Sequence, residues 1–182
     1  IICAKDFLEP AVKLAKKHEE IDHLTWAVAT DEQVYNEFSS GTPDASAYRW
    51  FVKMLYDRAS NTKNRPKSLL LLGRGTFDNR KILSLSGSNK LLTFQAVNST
   101  KETLAYATDD YFGFMQDDAG VDRYGMFNEV RANLDVAVGR LPAKDLEEAN
   151  NMVDKLCVYM DNKGLGKWKT QSGETANIAA CG

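Results

Sequence analysis

The sequence predicts an α/β fold of three layers, a mostly parallel sheet flanked by helices with a β-arm to one side. Three observations carry that prediction. Lys67 to Gly73 contains four consecutive leucines with no polar alternation, the pattern of a strand covered on both faces. Residues 6–24, 44–59 and 145–160 repeat apolar side chains at helical spacing. These segments alternate with short apolar runs, an order that calls for right-handed crossovers in one sheet with helices on both faces.

Taken in order, Ile1-Ile2-Cys3-Ala4 lacks the charged start of a signal peptide and reads as the tail of a strand begun upstream, as if cut from something longer. The first helix carries Leu8, Ala11, Val12, Ala15, His18 and Ile21 on one buried stripe, with Pro10 in its first turn and Lys13, Lys16 and Lys17 opposite. Leu24 to Ala29 follows as a short strand. Asp31 then caps a brief helix through Phe38, which Ser39-Ser40-Gly41-Thr42-Pro43 breaks. Asp44 caps the second long helix, whose stripe is Ala47, Phe51, Met54, Leu55 and the stem of Arg58; Arg49, Lys53 and Asp57 are polar positions.

After the polar loop Asn61 to Pro66 and the leucine strand, residues 80–98 break into short apolar pieces. Ile82 to Leu85 and Leu91 to Val97, separated by Ser86-Gly87-Ser88-Asn89, read as a hairpin or irregular β-arm. Leu134 to Val138 is another buried strand, closed by Gly139-Arg140-Leu141-Pro142. The third long helix runs to about Met160, with Asp145 and Glu148 at capping-box spacing and a stripe of Leu146, Ala149, Val153, Leu156, Cys157 and Met160. Residues 1–163 thus form one α/β subdomain. Residues 164–182 form a connector and, from Ala176 to Cys181, the opening strand of another.

At 182 residues, 43% apolar and 26% charged, the chain has an ordinary globular composition, and a chain this long buries about 70% of its unfolded surface. With 23 basic against 25 acidic side chains and no Lys/Arg block, a nucleic-acid partner is disfavoured. The longest aliphatic run, Leu69 to Leu72, falls far short of the roughly 20 residues a membrane span needs. Cys3, Cys157 and Cys181 lack metal-knuckle or CxxC spacing, so neither a zinc site nor a full disulfide framework is encoded.

Ligands of α/β sheets bind beyond the carboxyl ends of the strands. There Gly73-Arg74-Gly75 resembles a phosphate loop, but Asp78 stands where a dinucleotide fingerprint needs its third glycine, so a tight turn is the better reading. Gly164-Leu165-Gly166-Lys167 fails too, because Trp168 replaces the magnesium-binding hydroxyl. The only histidines are His18, on an apolar stripe where a core role is expected, and His23. A Cys3/His pair is conceivable on paper; Cys157 belongs to a helix core, and Cys181 has no histidine downstream. From Asp109 to Asp135 lie seven acids and two bases. Asp109, Asp110, Asp117 and Asp118 lead this run, which is either a solvated acidic loop or a calcium site of hard oxygen ligands, though not an EF-hand. Tyr106, Tyr111, Phe112, Phe114 and Phe127 interleave with the acids and anchor the loop to the core.

Four ordered motifs go further. They are Lys67 to Asp78 (KSLLLLGRGTFD), Tyr106 to Gly113 (YATDDYFG), Leu134 to Pro142 (LDVAVGRLP) with Glu147-Glu148-Ala149 and Val153-Asp154-Lys155, and the earlier Val34 to Ser39 with Gly41 to Asp44. Together they resemble the gingipain-like cysteine peptidases, above all the branch containing the type IX secretion system sortase. Arg74 departs from that branch, which usually has Asp after the strand's glycine, and this leaves any local role of that carboxylate in doubt. The resemblance implies a caspase-like catalytic unit of two α/β halves, this chain being the first half plus the opening strand of the second. The catalytic Cys and His and the acid of the specificity pocket would lie beyond Gly182, so no catalytic residue is assigned here. It also implies a secreted, periplasmic or surface location, a protein or peptide substrate reached through the other half, and frequent calcium binding.

Three functions follow. The first is the amino-terminal subdomain of a cysteine endopeptidase, inactive alone, or of a transpeptidase if the sortase likeness holds. The second is a non-catalytic interaction or scaffold module of a secretion apparatus. The third is a small flavodoxin-like nucleotide-binding domain, weakened by the incomplete glycine loop.

Overall fold

The structure is a computed structural model that describes residues 1–80, 82, 89–95, 105–117 and 133–161. Four strands, β1 (Ile2–Cys3), β2 (Ala29–Thr30), β3 (Ser68–Leu72) and β6 (Ala137–Leu141), form one all-parallel sheet in the order β2-β1-β3-β6. A separate antiparallel pair joins β4 (Phe94–Gln95) to β5 (Ala107–Thr108). The helices are α1 (Leu8–Asp22), α2 (Asp31–Phe38), α3 (Ala45–Asp57) and α4 (Leu146–Met160). This is the α/β fold expected, and β3 is buried as its leucines require: Leu69, Leu71 and Leu72 are all inaccessible to solvent or nearly so.

The order of strands reverses at β1. From β1 the chain crosses through α1 to β2 on one side; it then returns through α2 and α3 to β3 on the other side. Right-handed crossovers in opposite directions put α1 and the α2–α3 pair on opposite faces of the sheet. α4, after β6, lies against α1, where Lys13 meets Asp154 and Lys17 meets Asp161. The core between the layers is apolar and aromatic, with Phe7, Leu14, Tyr48, Phe112, Val136 and Val153 fully buried.

Several elements differ from the sequence reading. Along α1 the buried residues are Pro10, Ala11, Leu14 and Ala15, while Leu8 and Ile21 are exposed; the stripe is rotated because Phe7 and Leu14 take the core positions. His18 is no core histidine, for its ring meets Asp22 at 2.6 Å on the helix surface. Of Leu24 to Ala29 only Ala29 joins a strand, since β1 offers two residues to pair with, and Leu24 and Trp26 stay exposed. Thr30, not Asp31, caps α2: its hydroxyl accepts from Gln33 N and the Gln33 side chain accepts from Thr30 N, a reciprocal capping box. Asp44 caps α3 as expected and Ala47 of the expected stripe is buried, but the others buried on α3 are Tyr48, Arg49 and Val52. Asp145 caps α4, and Glu148 reaches back to Lys144 N rather than to the cap's own amide.

β6 begins three residues later than Leu134 and keeps Gly139, Arg140 and Leu141 inside the strand, because its partner β3 extends from Ser68 to Leu72. In the arm, Phe94–Gln95 pairs with Ala107–Thr108; of the other expected run, residues 83–85 lie outside the described residues. Residues 81, 83–88, 96–104, 118–132 and 162–182 lie outside the described residues, and with them Ala176 to Cys181, the Gly164 loop, Phe127 and Asp118.

Candidate functional site

In a sheet whose order reverses, the natural binding crevice opens at the carboxyl ends of the strands flanking the reversal, here β1 and β3. The chain fills that crevice itself. A strap, residues 89–95, lies against the turn after β3: the amides of Lys90 and Leu91 both donate to Arg74 O, at 2.8 and 3.1 Å. Leu91 is buried at 1% exposure, and Lys90 reaches Asp6 at 3.3 Å on the loop after β1. Gly73 has φ +150°, and a Cβ there would stand 2.9 Å from Leu91 Cγ, so the glycine is required by both conformation and space. At Gly75 a Cβ would collide with Thr93. The turn's amides are spent inside the protein, Gly73 N on Leu141 O at 2.9 Å and Arg74 N on Ala143 O at 2.8 Å. They make no phosphate cradle, and the flavodoxin-like nucleotide reading loses its site.

Arg140, at the carboxyl end of β6, ties the strap down. Its Nε and Nη2 grip both Asp109 oxygens at 2.6 and 2.8 Å, Nη1 donates to Gly73 O at 2.8 Å, and Nη2 donates to Leu92 O at 2.9 Å. One planar fork thus fixes the turn after β3, the strap and the Asp109 segment in a single plane of contacts. From the other side Tyr48 Oη accepts from Leu92 N at 3.4 Å and shares a short hydrogen bond with Tyr35 Oη. Burial pushes the Tyr48 phenol up to about 12, and that of Tyr35 higher, so both stay protonated.

A second clamp holds the segment beyond Asp110. Arg49 of α3 is 6% exposed; its Nε donates to Phe114 O and its Nη2 to Gln116 O, each at 2.7 Å. Lys53, one turn on, donates to Met115 O at 2.7 Å and meets Asp117 at 3.1 Å. Tyr111 and Phe112 are buried beneath, the anchoring role expected of the aromatics, whereas Tyr106, expected to do the same, is 43% exposed. Of the four acids singled out for calcium, Asp109 and Asp117 therefore serve Arg140 and Lys53 as counter-ions, Asp110 opens a 3₁₀ turn over 110–113, and Asp118 lies outside the described residues. Among the described residues no three His, Cys, Asp or Glu side chains converge to hold a metal ion.

The profile of Peptidase family C25 matches residues 1–177. The chain belongs to this family, the gingipain-like cysteine peptidases. The C25 chain is also similar to a solved structure, dimeric latent PorU from Porphyromonas gingivalis, at 40% sequence identity and a TM-score of 0.76. That likeness covers 94% of this chain but only 16% of PorU, so the C25 chain spans a small part of that protein's length. No curated protein matches it.

For a member of a cysteine peptidase family, the thiols here are placed oddly. Cys3 sits in the central strand at 0% exposure, and burial pushes its thiol up to about 11, far from a reactive thiolate. Burial likewise raises the Cys157 thiol on α4, and Cys181 lies outside the described residues. His18 is held by Asp22, His23 ends α1 in a left-handed conformation, and Cys3 Sγ turns to Ala29 O, so neither imidazole is hydrogen-bonded to Cys3 or Cys157.

Sequence reasoning missed Arg140 and Arg49, the two side chains that do most to shape this edge. The sequence places Arg140 in a strand-closing turn and Arg49 among the polar positions of a helix. A usable signal existed in each, since a lone Arg amid Val138-Gly139 and Leu141, or one turn before Lys53 beside Tyr48 and Val52, must find acceptors if the apolar neighbours are buried.

Proposed function

We propose that this chain is the amino-terminal subdomain, residues 1–163 with a connector from 164, of a gingipain-like cysteine endopeptidase. The observation that carries the reading is the C25 match over residues 1–177 in a chain whose described residues bring no thiol and imidazole together. In this reading another part of the protease supplies both groups. Its thiolate attacks the scissile carbonyl, the imidazolium protonates the departing amine, and water resolves the acyl-enzyme. If an incoming amine resolves it instead, the same chemistry is transpeptidation, the sortase-type variant of the proposal. The present subdomain holds that machinery in place. Its ligand crevice is closed by the strap, so it contributes rigidity and one wall of a cleft, not a cofactor.

The test is an assay of peptide cleavage by this chain alone and by the full-length protease. Cleavage by the full protein that iodoacetamide abolishes, with none from the chain alone, supports the reading; cleavage by the chain alone overturns it. Mass spectrometry of the products with an added amine separates hydrolysis from transpeptidation. Secretion or surface display belongs to the same proposal and rests on the family resemblance; among the described residues no helix is long and apolar enough to cross a membrane. Calcium on the acidic segment is a separate and narrower proposal. With Asp109 and Asp117 engaged, it rests on Asp110 and Asp118, and calorimetry should detect Ca²⁺ binding that the Asp110→Asn/Asp118→Asn variant loses.

A further inference from the structure

The sheet has two edges of unequal reach. β2 offers two residues, whereas β6 offers five. In a parallel pair every second residue of a strand turns its N–H and C=O towards the partner. Ala137 N donates to Lys67 O at 3.0 Å, and Leu141 O accepts from Gly73 N at 2.9 Å. Ala137, Gly139 and Leu141 therefore face β3, and Val138 and Arg140 present their N–H and C=O groups outward. Among the described residues no hydrogen bond reaches those outward groups.

Exposed edges are normally guarded by a proline, a bulge or a charge leaning over the strand. β6 has no proline from Ala137 to Leu141 and pairs with β3 in unbroken register. Its one charged side chain, Arg140, is turned away to Asp109, Gly73 and Leu92. At the amino end Gly113 O accepts from Val136 N at 3.1 Å, so the open stretch of the edge runs from Val138 to Leu141. Nor does the succession of crossovers fill this edge. α4 lies on the face that carries α1, and a right-handed crossover on that face runs from β1 towards β2; after β6 the same hand leads back across the sheet, away from the open edge.

We infer that the outer edge of β6 seats a strand from the part of the protease that carries the thiol and the imidazole, extending this sheet beyond four strands. The inference rests on the peptidase reading and names its interface. The occupant follows from the chemistry already argued. A cysteine peptidase needs groups that the described residues do not assemble, those groups must be held rigidly, and main-chain pairing along five residues holds one sheet against another without a linker's slack.

Residue-resolved amide hydrogen exchange tests it. In the isolated chain Ala137, Gly139 and Leu141 should exchange slowly and Val138 and Arg140 fast. In the full-length protease the latter two should slow by about 100-fold or more. Val138→Pro removes an outward donor without touching the β3 ladder, so the isolated chain should lose only the melting temperature that the packing of the Val138 side chain supplies, a loss that Val138→Ala measures separately. In the full-length protein it should return the Arg140 amide to fast exchange and lower thiol-dependent cleavage. Fast exchange at both amides in an active full-length protease overturns the inference alone. Slow exchange in the isolated chain that strengthens with concentration also overturns it, by assigning the edge to a second copy. Slow exchange in a full-length protein without thiol-dependent cleavage overturns the peptidase reading instead.

Discussion

Two parts of the molecule use ion pairs, and they use them differently. At the carboxyl edge, Arg140 and Asp109 keep 12% and 23% of their side chains exposed and share their contacts with two main-chain carbonyls. On the outer face of α1 and α4, Lys13 and Asp154 keep 53% and 54% exposed and touch little else. The first arrangement replaces the water that four polar groups would otherwise hold; the second stands in water that solvates either partner nearly as well. Burial and the number of shared acceptors, not the presence of opposite charges, decide which pair shapes the fold.

Removing the buried member should have the largest effect. Arg140→Met leaves the Asp109 carboxylate, Gly73 O and Leu92 O without their donor, and should cost about 3–5 kcal/mol. The urea midpoint measures it, and a loss under about 1 kcal/mol would erase the contrast between the two regions. Leu91→Ala comes next. It empties the crevice between β1 and β3 and should cost about 3 kcal/mol. Because strap and Arg140 fix each other, the double variant should lose less than the sum of the singles.

The same contrast explains what the sequence made legible. Four leucines announced β3, and Asp44 and Asp145 announced the starts of α3 and α4, because these signals are written within a few residues. β6 was placed three residues early because Arg140 interrupts its apolar run, and the carboxylate that permits a charge there is Asp109, distant in sequence. Arg49 hid for the same reason, its acceptors being Phe114 and Gln116. β1 and β2, two residues each, are too short to show any period. That Asp109 and Asp117 already have cationic partners was not legible, because composition counts carboxylates and cannot count the cations brought to them from β6 and α3.

A smaller effect sharpens the point that burial sets the outcome. Cys3 is buried with its thiol pushed from 9.0 up to about 11, first by desolvation and then by the charge of Asp31. A raised folded-state value means that the fold favours the protonated thiol. Its contribution is complete below pH 9.0 and is lost as the pH climbs towards about 11. The wild-type chain should therefore lose about 2 kcal/mol more than Cys3→Ala across that window. Parallel alkaline denaturation curves would mean that water reaches the thiol in strand β1.

The exposed face supplies the smallest effect and the most exacting check. Lys13→Ala should leave the urea midpoint within experimental scatter, and so should Asp154→Ala, because each charge returns to bulk water when its partner is removed. Raising the salt concentration should not move the midpoint through this pair either, whereas the Arg140–Asp109 contact, shielded by its neighbours, should be equally indifferent for the opposite reason. The two regions are then told apart by mutation and not by salt. Should Lys13→Ala destabilise the chain as much as Arg140→Met, the α1–α4 seam would be held by charge, and the rigidity ascribed to the carboxyl edge would have to be shared with the opposite flank.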